Sequence, residues 1–136
     1  MTRNSRYRPT KKPKTERRAN DLLIRQRTEA MIEYCYTAVA HFPRSEKPAL
    51  GLELRQTVWR LLRLIVIANK RYHKKTTMQD IDAELDLLRS QVRLGHALGH
   101  IPPTRYEHWA RLNDEIGRLL GGWIKSQEQP DAGDAR

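Results

Sequence analysis

The chain has 136 residues, enough for one domain and short for two. Its 26 lysines and arginines against 16 acids give a formal net charge of +10, a field that attracts polyanions such as nucleic acid but says nothing about the fold. No apolar run reaches the ~18 residues of a membrane span, no apolar segment opens the chain as a secretory signal, and one cysteine, Cys35, cannot form an internal disulfide; a soluble cytoplasmic protein with no membrane partner is expected.

In chain order, residues 1–19 form a basic arm. Arg3, Arg6, Arg8, Lys11, Lys12, Lys14, Arg17 and Arg18 face Glu16 alone, with Pro9 and Pro13 among few apolar side chains. Such a segment buries too little surface to offset its ordering entropy, so disorder is expected. Residues 20–126 carry four helical patterns. The first opens at Asn20 as N-cap and places Ile24, Met31, Cys35, Ala38, Val39 and Phe42 at helical spacing before Pro43 ends it. Ser45 caps the second, which takes Pro48 in its first turn and runs to about Arg71. Thr77 with Asp80 resembles a capping box for the third, which lasts to about Leu98, with Gly99 as C-cap and Pro102-Pro103 enforcing the stop. Thr104 with Glu107 caps the fourth, whose apolar stripe is Tyr106, Trp109, Leu112, Ile116, Leu119, Leu120 and Trp123. Residues 127–136, with Pro130 and Gly133, are expected to be a disordered tail.

Four helices of ~20–26 residues, each roughly 30–39 Å long, joined by short breaks, predict an all-α protein: an antiparallel up-down-up-down four-helix bundle. The run Leu61-Leu62-Arg63-Leu64-Ile65-Val66-Ile67-Ala68 is apolar on nearly every side. Either it presents a second buried face to another subunit, or it lies deep in its own bundle.

The densest basic cluster of the helical region is Arg55, Arg60, Arg63, Lys70, Arg71, Lys74 and Lys75, with no acid between Glu53 and Asp80. Arg60, Arg63, Ile67, Lys70 and Lys74 follow helical spacing and predict one ridge that meets phosphates without reading bases. For Lys70 to Lys75 the alternative is structural: cations offset a helix C-terminus, and Asp80, Asp82, Glu84 and Asp86 follow. Arg89, Arg93, His96 and His100 make a second stripe, and Arg111, Arg118 and Lys125 a third; either is also compatible with an ordinary solvated face. His96 and His100 have the spacing of helical metal ligands, but no carboxylate stands between them and His100 falls beyond the helix, so no metal is expected.

Catalytic patterns are missing. The chain has no phosphate-cradling glycine loop and no recurring Glu-x-x-His pair; Glu107 and His108 point apart, and Cys35 sits on an apolar stripe. No catalytic residue and no cofactor is therefore expected. Gly117 and Gly121, like Gly95 and Gly99, are four apart, which lets another backbone approach, while Gly99 also serves as a cap. The three tryptophans read as core, leaving few aromatics for base stacking and predicting weak sequence preference.

Three runs carry a family resemblance: Arg118-Leu119-Leu120-Gly121-Gly122-Trp123-Ile124-Lys125, Phe42-Pro43-Arg44-Ser45, and Asp82-Ala83-Glu84-Leu85-Asp86-Leu87-Leu88-Arg89. In order and spacing they resemble the accessory variability determinant (Avd) family of diversity-generating retroelements, over about Glu29 to Ser126. That family belongs to a wider group of four-helix bundles that includes proteins encoded in ribosomal-RNA intervening sequences. The resemblance implies a homopentameric barrel that binds a reverse transcriptase and RNA or DNA through a positive surface. It also implies a non-catalytic role in copying a template-repeat RNA into mutagenised cDNA that replaces a variable region. The alternative is a bundle of the intervening-sequence type with no reverse-transcriptase partner. The arm lies outside the resemblance and is expected either to bind phosphate or to act as a solubilising tail.

Overall fold

The computed structural model describes residues 14–128, with side chains from residue 19 onward. The disorder expected for the beginning of the arm and most of the tail lies outside the described residues. Four helices follow in order: α1 (Lys14–Ala40), α2 (Leu50–Lys70), α3 (Lys75–Ala97) and α4 (Pro103–Glu128). Each packs on two others, α1 on α2 and α4, α3 on α2 and α4, leaving the α1/α3 and α2/α4 pairs on the diagonals. This is the expected antiparallel four-helix bundle, all-helical among the described residues. No described helix is long and apolar enough to cross a membrane.

The helical spacing of apolar residues places the core. Ile24, Met31, Cys35, Ala38, Val39 and Phe42 of the α1 region are all buried, as are Trp109, Ile116, Leu120 and Trp123 of α4. The apolar run of α2 divides by face. Leu61, Ile65 and Ala68 are buried, Leu62 and Leu64 pack at the flanks, and Arg63 is exposed. Leu52 and Trp59, at i and i+7, remain exposed on its outer side.

Helix starts differ from the capping patterns. α1 begins at Lys14, six residues before Asn20, because Lys14–Ala19 are mostly good helix formers and let the helix propagate outward. The last residues of the arm are thus helical, and Asn20 is no cap. α2 begins only at Leu50. Pro48 disfavours helical backbone at Lys47, and the preceding residues turn instead, with Glu46 N–H donating to the Pro43 carbonyl at 2.9 Å. Thr77 lies inside the first turn of α3, its hydroxyl accepting from the Arg71 guanidinium at 3.2 Å, while Lys74 occupies the N-cap position. α4 starts on Pro103, where a missing N–H costs nothing, so Thr104 is already helical.

The end of α3 follows expectation. Gly99 has φ +86°, its N–H donates to the His96 carbonyl at 3.0 Å, and the His100 N–H donates to the Gly95 carbonyl at 2.9 Å. That pair of bonds is a Schellman closure, and it brings Ile101 onto the bare Cα of Gly95.

The glycines therefore separate into two kinds. A Cβ on Gly51 would meet Val39 Cγ1 at 2.8 Å and one on Gly95 would meet Ile101 Cδ1 at 2.7 Å, whereas Gly121 and Gly122 have nothing within 4 Å. Gly51→Ala and Gly95→Ala are expected to lower the urea midpoint. Gly121→Ala and Gly122→Ala are expected to raise stability by about 0.5–1 kcal/mol each through helix propensity. A drop at Gly122 matching that at Gly51 would contradict this packing.

Candidate nucleic-acid interface

The bundle sorts its cations into two groups, those that tie helices together and those left facing solvent. Three seams are closed by ion pairs: Arg27 to Glu115 at 2.8 Å between α1 and α4, Arg60 to Glu84 at 2.9 Å between α2 and α3, and Arg89 to Asp114 at 3.7 Å between α3 and α4. Arg89 also reaches Asp86 at 3.4 Å. Its guanidinium passes over Gly117, where a Cβ would collide with Nη2, so that glycine makes room for the tie. The α1–α2 seam has an uncharged equivalent, the Trp59 indole N–H donating to the Tyr36 hydroxyl at 2.8 Å.

This sorting breaks the single ridge expected on α2. Arg60 turns toward α3, Lys74 lies beyond the end of α2, and its ammonium sits 5.5 Å over the Trp123 ring. Arg55 is half-buried and donates weakly to the Lys47 carbonyl at 3.5 Å. Arg71 is exposed but leans on Thr77. Arg63, Lys70 and Lys75 are exposed and, among the described residues, make no ion pair. The same holds for Arg93 on α3 and for Arg111, Arg118 and Lys125, the heptad stripe of α4. Between Arg118 and Lys125, Gly121 and Gly122 are exposed and face open space.

The Lys74–Trp123 contact fixes which ends meet: the α2–α3 connection lies against the C-terminal part of α4. A 220 Å³ cleft lined by Asn20, Ile24, Arg118, Gly122 and Trp123 brings early α1 to the same end. Lys70, Arg71, Lys75 and Lys125 are thereby gathered at one end of the bundle, though they are distant in sequence.

The histidines do not converge. The His96 ring stacks on Tyr106 at 4.5 Å and 6°, with Nδ1 donating to the Ile101 carbonyl at 2.7 Å. His100 instead neighbours Phe42 and lies 3.9 Å from Glu46. Among the described residues no three His, Cys, Asp or Glu side chains are grouped to hold a metal. Cys35 is fully buried, and burial pushes its thiol up to about 12, with the Arg55 charge opposing.

Three exposed aromatics escape the sequence reading. Tyr36 is 45 % exposed, Trp59 48 % and Tyr72 85 %. The tryptophans are therefore not all core: Trp109 and Trp123 are, Trp59 is not. Its place opposite the buried stripe of α2 was the available signal. Around it a 520 Å³ groove is lined by Glu29, Ile32, Glu33, Tyr36, Trp59 and Leu62. The carboxylates on that rim repel phosphate, so the groove belongs to a different face from the basic stripes.

These features define a basic four-helix bundle that presents exposed cations on its outer faces. The sequence profile of the bAvd-like family matches residues 22–127. The chain belongs to that family and is, at the level of the family, an Avd-type accessory protein. A comparison with curated proteins gives no significant match.

The thiol supplies a pH test of the core. Its folded value, about 12, stands above the ordinary 9.0, so the unfolded chain releases the proton first. Stability from this group is complete below 9.0 and is lost as pH rises toward about 12. Urea midpoints across that window are expected to fall more steeply for the native chain than for Cys35→Ala. Parallel pH profiles would show that the thiol is not buried as described.

Proposed function

We propose that the protein is a non-catalytic, cytoplasmic accessory factor of a diversity-generating retroelement. On this reading it assembles as a homopentamer, binds the reverse transcriptase, and holds RNA or DNA on its basic surfaces during mutagenic cDNA synthesis. The observation that carries the nucleic-acid part is the set of exposed cations on α2, α3 and α4 outside the ion pairs: Arg63, Lys70, Lys75, Arg93, Arg111, Arg118 and Lys125. Long cationic side chains free of carboxylate partners release counterions from a phosphate backbone and position it without reading sequence. Arg60 and Arg89, neutralised at seams, hold the helices and contribute less to that surface.

The assembly part is supported by apolar side chains turned outward. Leu52 and Trp59 on α2 with Tyr36 on α1 form one exposed patch, and Leu87 and Leu94 on α3 with Leu98 just past its end form a stripe. Apolar rows of this kind, rimmed by polar residues, mark protein contacts. The α1–α2 patch lies on helices other than the one that carries the Arg111–Arg118–Lys125 stripe.

The test is co-expression with a retroelement reverse transcriptase, followed by purification in salt high enough to strip nucleic acid and mass measurement by light scattering. The expected result for the protein alone is five times the 16.0 kDa of one chain, with the polymerase retained on the assembly and template-repeat cDNA made only when both are present. A 16.0 kDa monomer that retains no polymerase would overturn the assembly and polymerase-binding parts of this reading.

A further inference from the structure

Resting on the nucleic-acid reading above, we propose that Tyr72, at the tip of the α2–α3 connection, is a stacking platform for an unpaired base. The preferred ligand is then single-stranded rather than duplex nucleic acid.

The connection spans only residues 71–74, between the last residue of α2 and the first of α3. Both flanks are pinned. The Arg71 backbone N–H donates to the Ala68 carbonyl at 3.3 Å, its guanidinium donates to Thr77 at 3.2 Å, and the Lys74 ammonium rests over Trp123 at 5.5 Å. Between these anchors Tyr72 stands 85 % exposed. Its ring neighbour is His73, edge to face at 4.7 Å and 81°. A tyrosine normally buries a large apolar area; this one buries almost none, so the fold gains little from it. What it presents is a ring face on a short, anchored turn.

Its surroundings select the ligand. Lys70, Arg71 and Lys75 are exposed on either side of it, and no acid occurs between Glu53 and Asp80 in the chain. Cores of protein–protein interfaces are depleted of charge, which argues against Tyr72 as an anchor for another protein. A polyanion carrying its own π-faces meets both requirements: phosphates take the lysines and a base takes the ring. In a duplex the bases already stack on one another, so only an unpaired nucleotide has a face to offer. Lys125, two residues past the Trp123 that holds Lys74, extends the cationic track along α4.

The experiment is fluorescence polarisation with the full chain and three labelled probes of equal length: oligothymidylate, an abasic strand and a duplex. The native protein is expected to bind oligothymidylate more tightly than the abasic strand. Tyr72→Ala should weaken oligothymidylate binding roughly five- to hundredfold, leave abasic binding and the salt slope unchanged, and melt at the native temperature. Tyr72→Phe should retain native affinity. Native-like oligothymidylate binding by Tyr72→Ala, with salt-dependent binding intact, overturns the platform and leaves the basic-surface reading standing. Equal losses on the base-bearing and abasic strands also overturn it, since the ring would then act by holding the loop. If the native chain binds no probe at low salt, both readings fall together.

Discussion

In a chain with a formal excess of ten positive charges, the cations nearest the seams of the four-helix bundle are neutralised there. Arg27, Arg60 and Arg89 are each held by a carboxylate of the neighbouring helix, and the fourth seam uses the neutral Trp59–Tyr36 bond. Partly exposed pairs of this kind contribute roughly 0–1 kcal/mol each. The shared core of Ile, Leu, Met and Trp supplies the stability, and the pairs set rotation and register. With Glu84, Asp114 and Glu115 engaged at the seams, the exposed cations of the outer faces make no ion pair among the described residues. Packing and surface chemistry are two results of one distribution.

That distribution separates three surfaces. The α1–α2 face has an apolar floor with Glu29 and Glu33 on its rim, unsuited to phosphate. The α4 face has Arg111, Arg118 and Lys125 beside two bare glycines, where a backbone of any kind can come close. The end formed by the α2–α3 connection combines cations with the exposed ring of Tyr72. On the proposed function, assembly uses the first surface together with the Leu87, Leu94 and Leu98 stripe, and nucleic acid uses the other two.

The core was legible in the sequence because burial imposes the helical period on residue choice. Ile24 through Phe42 and Trp109 through Trp123 repeat at that spacing and are buried. Gly99 was legible for a similar reason, since few residues other than glycine tolerate its φ of +86°. The helix starts were not. Thr77 and Thr104 have the residue pattern of caps, yet a proline at N1 and the Arg71 contact decide the starts instead. The candidate interface was only half legible. Charge density marked the right helices, but Glu84 lies 24 residues from Arg60, and only the fold reveals that pairing. Tryptophan's usual preference for the interior hid Trp59, and the lysines around Tyr72 drew attention from its ring.

The central claim is that the fold divides the cations into structural and polyanion-binding sets, and it is tested most directly by the salt dependence of RNA affinity. Two triple variants of the full chain would be compared with the native protein: Lys70→Ala/Lys75→Ala/Arg118→Ala from the outer set, and Arg27→Ala/Arg60→Ala/Arg89→Ala from the seams. The account predicts that the outer variant loses slope, by about 0.7 per phosphate contact for a single strand, with an unchanged melting temperature. The seam variant should keep its slope and melt lower. Equal loss of slope in both, or none in the outer variant, would contradict the division.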